Sequence, residues 1–258
     1  MRKFSLPAGL FVLYAAASIS AGADKGGARV PVLLELFTSE GCSDCPPADR
    51  LLGELDQNQP VPGAELIVLS EHVDYWDRQG WPDPYASKAL TERQMAYDRT
   101  LKIREPFTPQ FIVDGTIDMR LSRRERISDQ LHAASAVGKV PVSIESLRVE
   151  TGAAPAISGV VNAEAVPGNR SCELFVAVAL DRADTQVLRG ENRGQHLTHV
   201  AVLRELQRVG LVSGAPVHQS FSLALPTGLD GARLRVIAFL QQPGPGAVLG
   251  AAQQTIGP

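Results

Sequence analysis

The stretch VPVLLELFTSEGCSDCPPADRLL, residues 30–52, runs from an unbroken apolar segment through two cysteines into a double proline. Val30 to Thr38 carries a single charge, Glu35, among apolar side chains, which is the pattern of a strand buried on both faces. Proline fits a helix without loss only in the first turn, so Pro46 and Pro47 locate a helix start. With Asp44 as N-cap, Cys45, Pro46 and Pro47 fill that turn. Ala48, Leu51, Leu52 and Leu55 then form the stripe of a packed helix. This reading leaves Cys42 exposed one turn outside the helix and sets Cys45 at its start.

Working outward, AELIVLSEHV (residues 64–73) reads as a second strand. A helix between two strands makes them parallel, so their C-terminal ends share one sheet edge. That edge then carries Cys42-x-x-Cys45 together with His72-Val73-Asp74. An aromatic, proline-rich loop (residues 74–86) leads to a helix expected over about 87–102, with Ala86, Leu90, Tyr97 and Leu101 on one stripe. Next, EPFTPQFIVDGT (residues 105–116) reads as a turn, a strand at Phe111–Val113 and an Asp114-Gly115 hairpin signal. The last helix of this half is expected after a capping box of Ser122 and Glu125. Ile127, Leu131 and Ala134 form its stripe and Gly138 ends it.

After Gly138 short alternating runs are separated by Gly, Pro, Asn and Asp, the texture of an antiparallel β-sandwich. The stretch at residues 189–210 fits either a strand or a helix.

Met1-Arg2-Lys3, an apolar segment to Ile19 and Ala21-Gly22-Ala23 make up the three parts of a secretory signal peptide, residues 1–23. Its removal takes two bases and no acid, leaving 23 bases against 28 acids, a net charge of −5. No basic run suggests nucleic acid, and no stable membrane span is expected after cleavage. The remaining length suits two domains of about 110 residues each. Three cysteines are too few for a disulfide scaffold. In an oxidising space outside the cytoplasm, periplasmic or secreted, the C-x-x-C pair reads as redox-related more readily than as zinc-binding.

The motifs LELFTSEGCSDCPPAD, HVDYWDRQGWPDPYAS, TERQMAYDRTL, FTPQFIVDG and RGENRGQHLTHVAVLREL cover most of residues 32–210. Together they resemble the domain-of-unknown-function 1223 family, a bacterial family of the thioredoxin-like superfamily, and mark the chain as an exported bacterial protein. The resemblance implies an α/β thioredoxin-like domain (a mixed sheet flanked by helices) over residues 29–138, with an inserted loop and helix around 74–103. An all-β sandwich-like domain would follow over 140–258. The resemblance also implies a cis peptide at Thr108-Pro109, on the same sheet edge as Cys42. The sequence departs from thioredoxin in having Gly41 before the first cysteine and Ser43-Asp44 inside the pair.

A thiolate attacks disulfides and a thiol does not. The helix start favours the anion at Cys42, while Glu40 and Asp44 oppose it. Attack by Cys42 and resolution by Cys45 is the expected order, with protein or small-molecule thiols and disulfides as partners and no cofactor. Glu35 is either the acceptor of the Cys45 proton or a structural carboxylate. Thr108, Pro109, His72, Asp74, Tyr75, Trp76 and Trp81 are the candidate partner-binding residues. Two other readings stay open. Cys42, Cys45 and His72 form a possible copper(I) set, and the cysteines alone form a structural disulfide. Cys172 reads as a small buried hydrophobe, and His196 with His199 would fall on opposite faces of a strand.

Overall fold

Apolar runs with no polar face dominate the first strands, and they form the centre of the molecule. The computed structural model describes residues 29–120, 125–152, 154–168, 170–226, 229 and 232–257. The expected signal peptide and Ser122 lie outside the described residues. Strand β1 (Val30–Thr38) leads through the cysteine loop into α1 (Pro46–Asn58), and β2 (Ala64–His72) returns parallel to β1. The cap of α1 is Cys45, one residue later than expected from the sequence. The Cys45 carbonyl accepts from the amides of Ala48 and Asp49 at 2.8 and 3.1 Å, which puts both prolines in the first turn, where their missing N–H is harmless.

A loop containing one turn of 3-10 helix (Asp77–Gln79) precedes α2 (Lys88–Leu101), capped by the Ser87 side chain on the Leu90 amide. Thr108-Pro109 is cis and enters β3 (Gln110–Val113). β3 turns at Asp114 and Gly115, both with positive φ, into β4 (Ile117–Arg120). α3 (Glu125–Ser135) packs on β1 and β3.

The remaining strands overturn the expected architecture. β5 (Val142–Glu150), β6 (Ala156–Ala163) and β9 (Val217–Ala224) form a three-stranded sheet. β7 (Cys172–Gln186), β8 (His196–Val212), β10 (Leu234–Gln241) and β11 (Val248–Ile256) do not close a sandwich of their own. They join the first half in one mixed eight-stranded sheet of order β11-β10-β7-β8-β2-β1-β3-β4. The chain is therefore mostly β, with three α-helices among the described residues, and is not a helix-flanked thioredoxin-like α/β unit followed by a separate all-β sandwich.

The joint is the pairing of β2 with β8, parallel at Ser70 and Val202. β7 and β10 show why the sheet continues. Leu174, Val176, Val178, Val236, Ala238 and Leu240 pack in the core shared with the three-stranded sheet. The alternate residues Phe175, Ala177, Ala179, Ile237 and Phe239 belong to the core of the helical half. With a period of two, such strands are covered on both faces. Arg235 adds a polar tie, reaching Asp56 with two bonds of 2.7 Å.

Candidate functional site

The cysteine loop begins where β1 ends, because its side chains switch there from apolar packing to hydrogen bonding. Cys42 and Cys45 form a disulfide. The sequence reading left Cys42 exposed; in the structure it is buried, 1% accessible, and Cys45 is fully covered. Ser43 and Asp44 between them face solvent.

The cover comes from the aromatic loop. A side chain on Gly41 would meet the Trp76 Cβ at 3.0 Å, so glycine here lets Trp76 lie directly on the loop. The Trp76 indole donates to Thr108 Oγ1 at 2.8 Å, and the Cys42 sulfur lies 3.9 Å from the Thr108 carbonyl oxygen. Trp76, Thr108 and the cis Pro109 thus enclose the disulfide from one side. Trp81 donates to Glu40 Oε2 at 2.7 Å. Beside this cover is a cleft of about 430 Å³, lined by Ser43, Asp44, Pro47, Thr108, Pro109 and Arg120. Its floor includes Phe107, over whose ring the Arg120 guanidinium sits at 3.6 Å.

From the opposite side the β7–β8 turn grips the loop. The buried Asn192 amide donates to the Glu40 and Cys42 carbonyls, both at 2.9 Å. Gly190 packs against Trp81, where a Cβ would stand 3.0 Å from the Trp81 Cβ. Removing the amide leaves two buried carbonyl acceptors without this donor, a loss of about 1–3 kcal/mol. Asn192→Ala is therefore expected to lower stability by that amount in urea unfolding of the oxidised protein, and a change under 0.5 kcal/mol would refute the grip.

Beneath the loop lies a buried charge cluster. His199, on β8, sits at ion-pair separation from Glu40 (3.4 Å) and Asp49 (3.5 Å). Glu40 is two residues before Cys42 and Asp49 four after Cys45, so one imidazole ties the two arms of the disulfide loop. Burial alone would lower the His199 pKa, but Asp49 and Glu40 outweigh it and push it up to about 10. His72 is bonded through Nδ1 to Asp83 at 2.7 Å, and its ring packs edge-on to His199 with centroids 4.7 Å apart. Asp83 also accepts from the Glu40 amide at 2.8 Å. Burial raises the Asp83 carboxyl, but its contact with His72 prevails and holds it at about 2. The Nδ1 side of His72 is thus committed to Asp83, while its buried Nε2 has no hydrogen-bond partner among the described residues. Among the described residues no three His, Cys, Asp or Glu side chains are placed to hold a metal ion.

Glu35 points elsewhere. Its carboxylate takes a short contact from Arg93 and accepts from the Tyr97 hydroxyl at 2.5 Å. Arg93 also pairs with Glu71 at 3.3 Å, and Gln241 of β10 donates to the Tyr97 oxygen at 2.7 Å. Burial pushes the Glu71 carboxyl well above its usual range, with Arg93 opposing and Glu35 reinforcing the shift. Both oxygens of Glu35 are therefore engaged by α2, in a structural network. Asp74 is also a local tie, accepting from the Thr91 hydroxyl of α2 at 2.6 Å. The Tyr75 hydroxyl donates to Gln94, which donates in turn to the Phe107 carbonyl and to Gln110, holding the segment before Pro109.

The structure thus gathers Cys42, Cys45, Thr108, Pro109 and Trp76 at one place, with Trp81 at the adjoining Glu40. It sets His72 in the cluster beneath and leaves Glu35, Asp74 and Tyr75 in supporting networks. Sequence reasoning missed Asn192, Asp83, Glu40, Asp49 and Arg93 as partners. His196 and His199 do part on β8, the first exposed and the second buried, and Cys172 is buried in the second core.

A family model described as "Protein of unknown function (DUF1223)" matches residues 33–241. A crystal structure of an Agrobacterium tumefaciens protein is similar at 29% identity, covering 87% of this chain and 94% of that one, with a TM-score of 0.65. HBP35 of Porphyromonas gingivalis shares the fold at 16% identity, over 89% of this chain and 76% of its own, with a TM-score of 0.62. No curated protein matches.

Proposed function

The chain belongs to the DUF1223 family of proteins of unknown function, and from its site we propose that it is an exported thiol–disulfide exchange protein. The observation that carries this reading is a Cys42–Cys45 disulfide at the N-terminus of a helix, next to an open cleft that ends at Thr108-Pro109. Export rests on the N-terminal charge and apolar pattern of residues 1–23 and places the protein in the periplasm or outside the cell.

In the exchange, a partner thiolate lying in the cleft attacks the Cys42 sulfur. The Cys42–Cys45 bond breaks, a bond to the partner forms, and Cys45 leaves as a thiolate that takes up a proton. A second partner thiol then attacks the mixed disulfide and leaves the partner oxidised. Cys42 and Cys45 end reduced, having gained two electrons and two protons. Run backwards, the same steps reduce a partner disulfide. The N-terminus of α1 favours the anionic sulfur, and Trp76 must move off Gly41 for the partner to reach it.

The burial of both sulfurs favours a second reading, a structural staple. Titration of the folded protein with glutathione or dithiothreitol separates the two. Exchange predicts reversible reduction without unfolding, and a Cys45→Ala variant that accumulates a mixed disulfide through Cys42. A disulfide that resists reduction until the protein unfolds overturns the exchange reading and leaves the staple.

A further inference from the structure

On the other side of the aromatic loop, between the start of α2 and β8, lies a second cavity of about 370 Å³. We propose that this cavity binds a small monocarboxylate with an apolar body. Two of the sequence motifs meet here, one through its closing Tyr85-Ala86-Ser87 just before α2 and the other through its closing Leu203-Arg204-Glu205-Leu206 on β8.

The first observation is a β-bulge. In the β7–β8 ladder Leu203 pairs with Ala179 and Glu205 with Val178, so Arg204 is the extra residue left without an opposite number. A bulge of this kind re-aims a side chain that regular alternation would send elsewhere. Leu203, Arg204, Glu205 and Leu206 all line the cavity as a result.

The second observation is an unsatisfied buried donor on the partly buried Arg204. Arg204 Nε is buried and has no hydrogen-bond partner among the described residues. Its guanidinium lies 5.5 Å from the centroid of the Tyr85 ring, a contact that supplies no acceptor. A buried N–H is costly to leave unpaired, and a guanidinium matches a carboxylate with two parallel bonds. Arg93 also borders the cavity, but Glu35, Glu71 and Gln241 already engage its donors, so it serves as wall.

The surroundings select the ligand. Leu90, Leu203 and Leu206, with Ala86 and Ala89, make most of the lining apolar, the usual composition of a small-molecule site. The positive end of the fourteen-residue α2 opens onto it, which favours an anion. Glu205 is the one carboxylate in the lining. Its repulsion grows with the charge of the ligand, so a dianion such as phosphate is disfavoured more than a monoanion. Tyr85 joins this cavity to the buried cluster, since its ring packs edge-on to His72 with centroids 5.4 Å apart.

The test is calorimetric titration of the full chain at pH 7 with phenylacetate, with its uncharged counterpart 2-phenylethanol and with inorganic phosphate. Phenylacetate is expected to bind at one site and to raise the melting temperature, with 2-phenylethanol at least tenfold weaker and phosphate silent. Arg204→Met should weaken phenylacetate at least tenfold, and Ala89→Trp, which fills the cavity, should abolish binding. Neither change should alter the reduction of Cys42–Cys45. Equal binding of 2-phenylethanol, binding of phosphate alone, phenylacetate binding that both variants retain, or no binding by any probe overturns the proposal. Should Arg204→Met fail to fold, the comparison of phenylacetate with 2-phenylethanol on the unaltered chain still decides it.

Discussion

Arg93→Met is expected to lower the unfolding free energy by roughly 3–5 kcal/mol, the usual cost of removing one partner from a buried ion pair. For a chain of this size that moves the melting temperature down by about 6–20 °C. The expectation rests on what the substitution strands. The Glu35 and Glu71 side chains are fully buried and both pair with Arg93, whose own side chain is 10% exposed. The Tyr97 hydroxyl remains for one oxygen of Glu35, while Glu71, already pushed toward its protonated form by burial, loses its counter-charge. Arg93→Lys should cost nearly as much, because an ammonium cannot span Glu35, Glu71 and Gln241 as the planar fork does. Replacing Glu35→Leu together with Arg93→Met should recover only part of the loss: it removes one stranded carboxylate and its repulsion on Glu71, but Glu71 stays buried without a counter-charge. Denaturant unfolding of the unaltered chain, Glu35→Leu, Arg93→Met and the double variant closes the cycle. A single-variant loss under 1 kcal/mol would falsify the view of this network as a structural strut.

Much of the local structure was legible because it depends on neighbours in the chain. The apolar run of β1, the proline pair opening α1, a helix starting near residue 87 and Asp114-Gly115 as a turn all formed as their residues dictate. The architecture was not, because a strand's apolar pattern says how many of its faces are covered and not which strand lies beside it. The pattern did contain the missing fact. β7 carries the unbroken apolar run Val176-Ala177-Val178-Ala179, and such a run is covered on both faces, unlike that of β9, whose polar residues alternate outward. Reading the two alike produced a sandwich where the sheet in fact continues.

The site divides in the same way. Cys42 and Cys45 come from their spacing and Pro109 from the family resemblance, and the structure sets the three together. Asn192 and His199 come from β8 and its turn, which reach the cysteine loop only because β8 pairs with β2. Arg93 was hidden for a different reason. On an amphipathic reading of α2 a charged residue belongs on the wet face, and here a buried stripe of Leu90, Gln94 and Tyr97 is flanked by a buried arginine. Glu35, a lone charge in an apolar strand, was the visible half of that pair.

Stability should fall as the pH rises from about 6.5 to 10, and His199 should be the main cause. Its folded pKa is raised from 6.5 to about 10 by Asp49 and Glu40 acting against burial. A group raised on folding contributes its full stabilisation below the unfolded value and loses it as the pH climbs through the folded one. The size of the shift corresponds to an order of 3–5 kcal/mol. Glu71, also raised, acts in the same direction. On the acid side Asp83, held at about 2 against 3.8, contributes about 2 kcal/mol above pH 3.8 that disappears as the pH falls through 2. His199→Gln tests the assignment. At pH 6.5 it leaves Glu40 and Asp49 buried without their cation and should cost about 3–5 kcal/mol. Near pH 10 the native histidine is losing its own charge, so the two chains should converge. Urea unfolding at pH 6.5, 8 and 10 measures the gap between them. A gap that stays constant across that range would mean that His199 holds the disulfide loop by shape alone, and the charge clamp would have to be abandoned.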